Sequence, residues 1–391
     1  MDFRPRPEPP GARPAPRARR PWRGLRALVG LWALGFALLF VSPARCDERV
    51  LVGGLLDAEF WKTDDGSRLL SRNEGEAAPA ARLRLWAASE FLPRLQGFVL
   101  GEVESGKASD AGETEQELEQ AYLRYSFRPP LRLIVEAGQI VTPIGNFSRR
   151  YLSSVNPLIG SPDNYSLSYP LGLNVRGQAS RLDFSVALLD RPFINEHYTP
   201  EPGRALRPAL ALGVTPVVGT RLGAYATRGP YLGPGVTPML LTGDDWKDFR
   251  QAVYGIDAQF SRGYFELNAD VARSSYEVPG VARSVRGLAY FIEPKYTWSP
   301  RFFTALRLER NDYPFVMPLA PGVWLATTAD FYDVEAGAGY RLGPGAILKI
   351  AYRRDRWNVD PSKKSFFPDG YSISAQLSYR FDVNTWFERP R

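Results

Sequence analysis

Residues 370–382 read GYSISAQLSYRFD. Taken two at a time, Ile373, Ala375, Leu377, Tyr379 and Phe381 share one side, while Ser372, Ser374, Gln376, Ser378 and Arg380 share the other. Successive side chains of a strand point to opposite faces, so this segment is a strand between an apolar and an aqueous environment. The same division recurs at 181–189, where Leu182, Phe184, Val186 and Leu188 oppose Arg181, Asp183 and Ser185. It recurs again in RQAVYGIDAQFS (250–261), RFFTALRLER (301–310) and LKIAYRR (348–354).

Working outward from these segments, strands are expected near 50–61, 81–91, 94–103, 118–127, 131–141, 171–179, 181–189, 206–215, 218–227, 250–260, 263–273, 286–298, 301–310, 328–341, 346–356 and 370–382. Their connections alternate in length. Long ones are expected at 62–80, 104–117, 142–170, 190–205, 228–249, 274–285, 311–327 and 357–369. Tight turns fall at Pro93, at 128–130, near Ser180, at 216–218, at Ser261-Arg262, at Ser299-Pro300 and around Gly343–Gly345. A meander with two unlike rims has this layout, and so do outer-membrane barrels with short periplasmic turns and long external loops. The predicted fold is therefore all-β: a closed antiparallel transmembrane β-barrel of about sixteen strands, with 14 and 18 left open. Backbone groups in hydrocarbon must all be paired, which only a closed sheet achieves with strands. Aromatic residues gather where the tight turns begin and end: Phe91, Phe127, Phe260, Tyr264, Trp298, Phe302, Tyr340 and Phe381. Such a girdle suits headgroup depth.

Ahead of the strands, RARRPWRGLR is followed by the apolar run Ala27–Val41 and then SPARC. This is the order of a secretory signal, with cleavage expected after Cys46 and Asp47 first in the mature chain. The apolar run is too short for the ~20 residues of a spanning helix, and Arg45 sits poorly before a lipidated cysteine. The long basic start also suits a start codon placed too early. The first 46 residues hold nine of the 49 basic and two of the 42 acidic side chains, leaving 40 of each. The positive net charge thus belongs to the export segment and argues for no nucleic-acid partner. The sole cysteine leaves with it, as suits an oxidising compartment.

The segment LEQAYLRYSFRPPLRLIVEAGQIVTPIGNFSRRYLSSVNPLIGSP (118–162) resembles the phosphate-selective porin O and P family. The carrying residues are Ala121–Leu123, Gly138-Gln139, Thr142-Pro143, Gly145, Arg149 and Ser153-Ser154. The resemblance implies a trimeric, 16-stranded outer-membrane diffusion pore. With periplasmic termini, 142–170 is the third external loop and the longest; in general porins that loop folds inward. Asn146, Arg149, Arg150, Asp163 and Tyr165 would then line a constriction, or instead pack the loop onto the wall. Arg82, Arg84, Arg124, Arg132, Arg181, Arg307 and Arg353, with Glu136 and Glu335, fall on the polar faces of strands and are expected to face the lumen. Bases and acids on those faces nearly balance, so phosphate selectivity does not carry over, and Arg149-Arg150 favours anions slightly. The last strand also resembles the C-terminal signal read by the barrel-assembly machinery, although Gln376 stands where glycine is usual and ten residues follow Phe381.

Enzymatic chemistry has little support. His197, the only histidine, has no second histidine or cysteine to form a metal set, and no Gly-rich phosphate loop precedes a helix. The sequence reading is a passive pore for ions or small hydrophilic solutes, a homotrimer in outer-membrane lipid, without cofactor or metal. An occluded barrel acting in adhesion or as an envelope scaffold is the alternative; a hydrolase using a serine and His197 is weaker.

Overall fold

The computed structural model describes residues 50–64, 77–106, 114–128, 132–162, 168–193, 199–361 and 367–383. Sixteen strands follow one another: β1 (Leu51–Thr63), β2 (Ala77–Leu92), β3 (Leu95–Ser105), β4 (Thr114–Ser126), β5 (Leu133–Gln139), β6 (Leu171–Ala179), β7 (Leu182–Leu189) and β8 (Arg207–Val217). The second half comprises β9 (Thr220–Pro230), β10 (Arg250–Arg262), β11 (Phe265–Tyr276), β12 (Val285–Thr297), β13 (Phe302–Ala320), β14 (Val323–Gly343), β15 (Ala346–Asn358) and β16 (Gly370–Asp382). Each pairs antiparallel with its neighbours in sequence, and β1 pairs with β16 to close the barrel, Leu55 opposite Arg380 and Phe60 opposite Ala375.

Closure gives the two faces their different chemistry. On β16, Ile373, Leu377 and Tyr379 stand exposed on the outside, while Ser372, Ser374, Gln376 and Ser378 are buried inside. On β7 the outward residues are Leu182, Val186 and Leu188. No described helix is long and apolar enough to cross a membrane, and the outward band belongs to the strands. At the tight-turn end Phe127, Phe260, Tyr264, Trp298, Phe302 and Tyr340 are exposed. Tyr296 and Trp298 meet edge-on at 4.6 Å. Phe91 and Phe381 are more covered, each ring lying over a glycine, Gly97 and Gly54.

The structure differs from the sequence expectation at 311–327. No loop forms there: β13 and β14 continue as a ladder and turn through Pro321-Gly322. Packing at the loop end explains it. Tyr313, Phe315 and Phe331 join Trp357 and Phe367, with Phe331 and Trp357 rings 4.9 Å apart. Val316 and Trp324 bury against Tyr231, Val236 and Leu240 of the 231–249 connection. The hairpin tip is tied there as well, Gly322 N–H donating to Met239 O at 2.9 Å. Smaller shifts affect the turns: that expected at Ser261-Arg262 lies at Gly263-Tyr264, since β10 runs to Arg262. Residues 129–131 of the turn expected at 128–130 lie outside the described residues.

Candidate functional site

The longest connection, 140–170, leaves β5 at the Gly138-Gln139 pair. Gly138 has φ +135°, and a Cβ there would lie 2.3 Å from Ala121 O, so only glycine fits the close approach to β4. The Gln139 amide donates to Leu118 O, beside the register shift between β3 and β4. From this launch the chain turns inward. Ile140, Ile144 and Phe147 pack on Ala187, Leu189, Ala209, Tyr225, Val253 and Ala272, the inner face of β7–β11. Small side chains on that wall make room for the loop. Thr142 ties the two ends of the loop together, its hydroxyl 2.6 Å from that of Ser168. The Asn146 amide donates to Ala269 O at 3.1 Å.

A single 3₁₀ turn, Phe147–Arg149, then ends at two adjacent arginines, Arg149 in its last position and Arg150 just after it. Arg150 is buried, bonded to Glu293 and held over the Phe147 and Phe291 rings at 5.3 and 5.6 Å. Burial lowers its pKa, partly offset by Glu293. Arg149 points the other way, its side chain 55% exposed and 3.6 Å from Asp183. Next, burial and the Glu119 carboxylate push the Tyr151 and Tyr169 hydroxyls up, so both stay protonated. Tyr151 accepts from Gln120 at 3.0 Å.

The tip reaches the far wall. Ser153 donates to Asp57 at 2.6 Å, and the Lys349 ammonium donates to Ser153 O, Asn156 O and Leu158 O at 2.6, 2.9 and 3.2 Å. Glu335 accepts from the Ile159 and Gly160 N–H groups at 3.2 and 2.9 Å. Arg307, fully buried, joins all of this: it donates to Glu293 at 2.5 Å, Glu335 at 3.1 Å, Gly160 O at 2.9 Å and Asn156 Oδ1 at 3.2 Å. Ile159 packs on Trp61, Ala80 and Ala351. The loop is thus anchored from β7 round to β1, by apolar packing on β7–β11 and by carboxylates and cations of β12–β15 and β1.

Between the start of the loop and the wall of β4–β7 lies an open cavity of about 740 Å³. Arg124, Arg132, Arg149 and Arg176 line it, against Glu136 and Asp183. Glu136 accepts from Arg124 at 2.8 Å, Arg176 at 2.9 Å and Asn174 at 3.1 Å, and its side chain is 8% exposed against 43% for Arg176. Asp183 is engaged by Arg221 at 2.7 Å. Glu136 lies beneath, and the guanidinium groups of Arg132, Arg149 and Arg176 meet the water.

Other residues singled out in the sequence are spread round the wall. Arg82 and Arg84 face Glu102, Glu104 and Glu119 across β2–β4, Arg84 meeting Glu119 at 2.9 Å. Arg353 pairs with Asp333 at 2.7 Å. Arg181 departs from its expected lumen face, and Asn146 and Arg150 follow the wall-packing alternative. Arg181 sits in the β6–β7 turn at the rim, exposed and donating to Pro216 O at 2.7 Å, because β7 begins after it. Asn146 and Arg150 are sequestered between loop and wall and do not line the open cavity. Asp163, Tyr165 and His197 lie outside the described residues. Arg176 went unnoticed in the sequence although LGLNVRGQA (171–179) alternates plainly, Asn174, Arg176 and Gln178 opposing Leu173 and Val175. Among the described residues no group of His, Cys, Asp and Glu could hold a metal.

No family model matches the sequence, nor does any curated protein. Solved structures do. The anion-selective porin from Comamonas acidovorans is similar over 86% of this chain and 100% of that one, at 10% identity and a TM-score of 0.58. Outer-membrane expressed OmpT of Vibrio cholerae covers 86% and 99% at 11% identity and a TM-score of 0.57. The in-vitro folded trimer form of OmpT covers 85% and 99% at 11% identity, with a TM-score of 0.55. The chain shares the closed antiparallel barrel fold of these outer-membrane proteins. At this identity the likeness concerns fold alone.

Proposed function

We propose that the chain is an outer-membrane porin, through which ions and small hydrophilic solutes diffuse passively, with a modest preference for anions. The observation that carries this is the cavity beside the inward loop, where four arginines outnumber two carboxylates, Glu136 covered and Asp183 half-buried and held by Arg221. Fixed positive charge along a narrow aqueous path raises the local concentration of anions and lowers that of cations. Export by a signal peptide cleaved after Cys46, folding by the barrel-assembly machinery and assembly as a homotrimer belong to the same reading, as does membership of the phosphate-selective porin O and P family. Phosphate specificity does not: the family-like residues Gly138, Gln139, Thr142 and Ser153 are occupied in shaping and anchoring the loop.

Reversal potential in a KCl gradient across a planar bilayer tests the proposal. A single-channel potential on the anion side is expected; a cation-selective channel would overturn the charge argument. One observation favours a second reading, an occluded barrel serving as an envelope scaffold: the loop is bound on the far wall by Asp57, Arg307, Glu335 and Lys349. Absence of ohmic steps from a refolded sample would select it.

A further inference from the structure

A second cluster of arginines lies outside the barrel, at the loop end of β9–β12. Register brings them together: Arg228 is opposite Ala252, two residues from Arg250; Arg273 is opposite Tyr254; Arg286 is opposite Ser275. All four are exposed, and with Tyr254 and Glu277 they line a groove of about 480 Å³. Glu277 is the groove's only acid, 3.1 Å from Arg228 and accepting the Arg250 backbone N–H at 3.1 Å. Among the described residues Arg250, Arg273 and Arg286 form no ion pair. The next sector differs, since Arg310 on β13 is held by Asp312 and Asp330 at 3.3 and 3.2 Å. Like charges on neighbouring strands repel, so the groove carries an excess of positive charge that nothing described within the chain offsets.

Below the groove on the same outward face come Ile256, Val271, Leu288 and Ile292, all exposed. A cationic groove at the upper edge of an apolar band matches an amphiphile with an anionic head. We infer that this groove binds the headgroup of an outer-leaflet lipid bearing two or more phosphates, its acyl chains lying along that band. Guanidinium forks suit phosphate oxygens, and Tyr254 sits at the boundary where amphipathic rings are favoured. The inference rests on the outer-membrane reading, with long loops outside.

Native mass spectrometry of the folded barrel in detergent provides the test, with three probes: a synthetic bisphosphorylated lipid, phosphatidylcholine and inorganic phosphate. The bisphosphorylated lipid should be retained at one per chain. The variant R250A/R273A/R286A should bind it more weakly by about fivefold per arginine, roughly a hundredfold in all. R262A/R301A, at the opposite rim, should bind as the native chain does. E277Q, which removes the groove's acid, should bind about fivefold more tightly. Equal binding by native chain and triple variant, equal retention of phosphatidylcholine, or displacement by equimolar inorganic phosphate would each overturn the proposal. Bilayer conductance of the same samples separates the two readings: lipid specificity in a barrel that never conducts removes the pore and keeps the lipid site, and the converse removes only the site.

Discussion

Replacing Arg307 by methionine tests how the inward loop is held. The substitution keeps much of the volume but removes a cation that is fully buried and serves Glu293, Glu335, Gly160 O and Asn156 Oδ1 at once. Glu309, 3.7 Å away, loses its neighbour as well. Removing one partner of a buried ionic group costs about 3–5 kcal/mol, chiefly because the remaining charges stay unpaired. The wall does not have to absorb that cost, because β13 keeps its ladders to β12 and β14. The loop can relieve it by undocking, which lets water reach Glu293 and Glu335. At about 1.4 kcal/mol per tenfold, the docked-to-undocked ratio should fall by roughly two to three and a half powers of ten. Single-channel recording of Arg307→Met should show larger or rapidly flickering conductance and a shift toward cations. Adding Glu335→Gln should restore much of the native trace by removing the orphaned charge, since Glu293 keeps Arg150 as a partner. A trace, selectivity and melting transition all like the native protein's would refute the idea that Arg307 holds the loop.

The two adjacent arginines should behave differently. Arg149→Ala is expected to move the reversal potential toward cations with stability changed by under about 1 kcal/mol, as for a solvent-facing pair, whereas Arg150→Ala should lower the melting temperature by depriving Glu293 of a partner; equal effects in both assays would contradict the geometry. Gly138→Ala, placed at positive φ against Ala121 O, should destabilise by roughly 1–3 kcal/mol, read as a lower temperature for loss of the compact electrophoretic form, while Gly235→Ala, with open space around it, should be silent. Trp298, exposed at the tight-turn rim, should be quenched by lipids brominated near the headgroup more than by those brominated at the chain end. Mass spectrometry of the native membrane protein should give Asp47 as its first residue; a lipid-modified Cys46 would replace the cleavage reading.

The wall was legible in the sequence because its signal is local and repetitive. Period-two alternation in GYSISAQLSYRFD or RLDFSVALL follows from backbone geometry alone, and the alternation of long and short connections orders the strands without knowledge of any contact. The covalent chain therefore determined by itself a barrel of about sixteen strands, the two rims and the face on which Arg84, Arg307 or Glu335 lies, while closure in the structure fixed the count at sixteen. The hairpin of β13 and β14 escaped because Pro314, Pro318 and the Pro321-Gly322 turn resemble a loop until Tyr231, Trp357 and Met239 come beside it. Only tertiary structure decided the partners across the lumen. Arg149 and Arg150 are neighbours of one type in a segment with no period, and nothing local distinguishes them. What separates them is Glu293, more than a hundred residues away, which takes Arg150 out of water and leaves Arg149 facing the cavity. Facing direction is set by the backbone; which charge stays free is set by what closure of the barrel brings opposite.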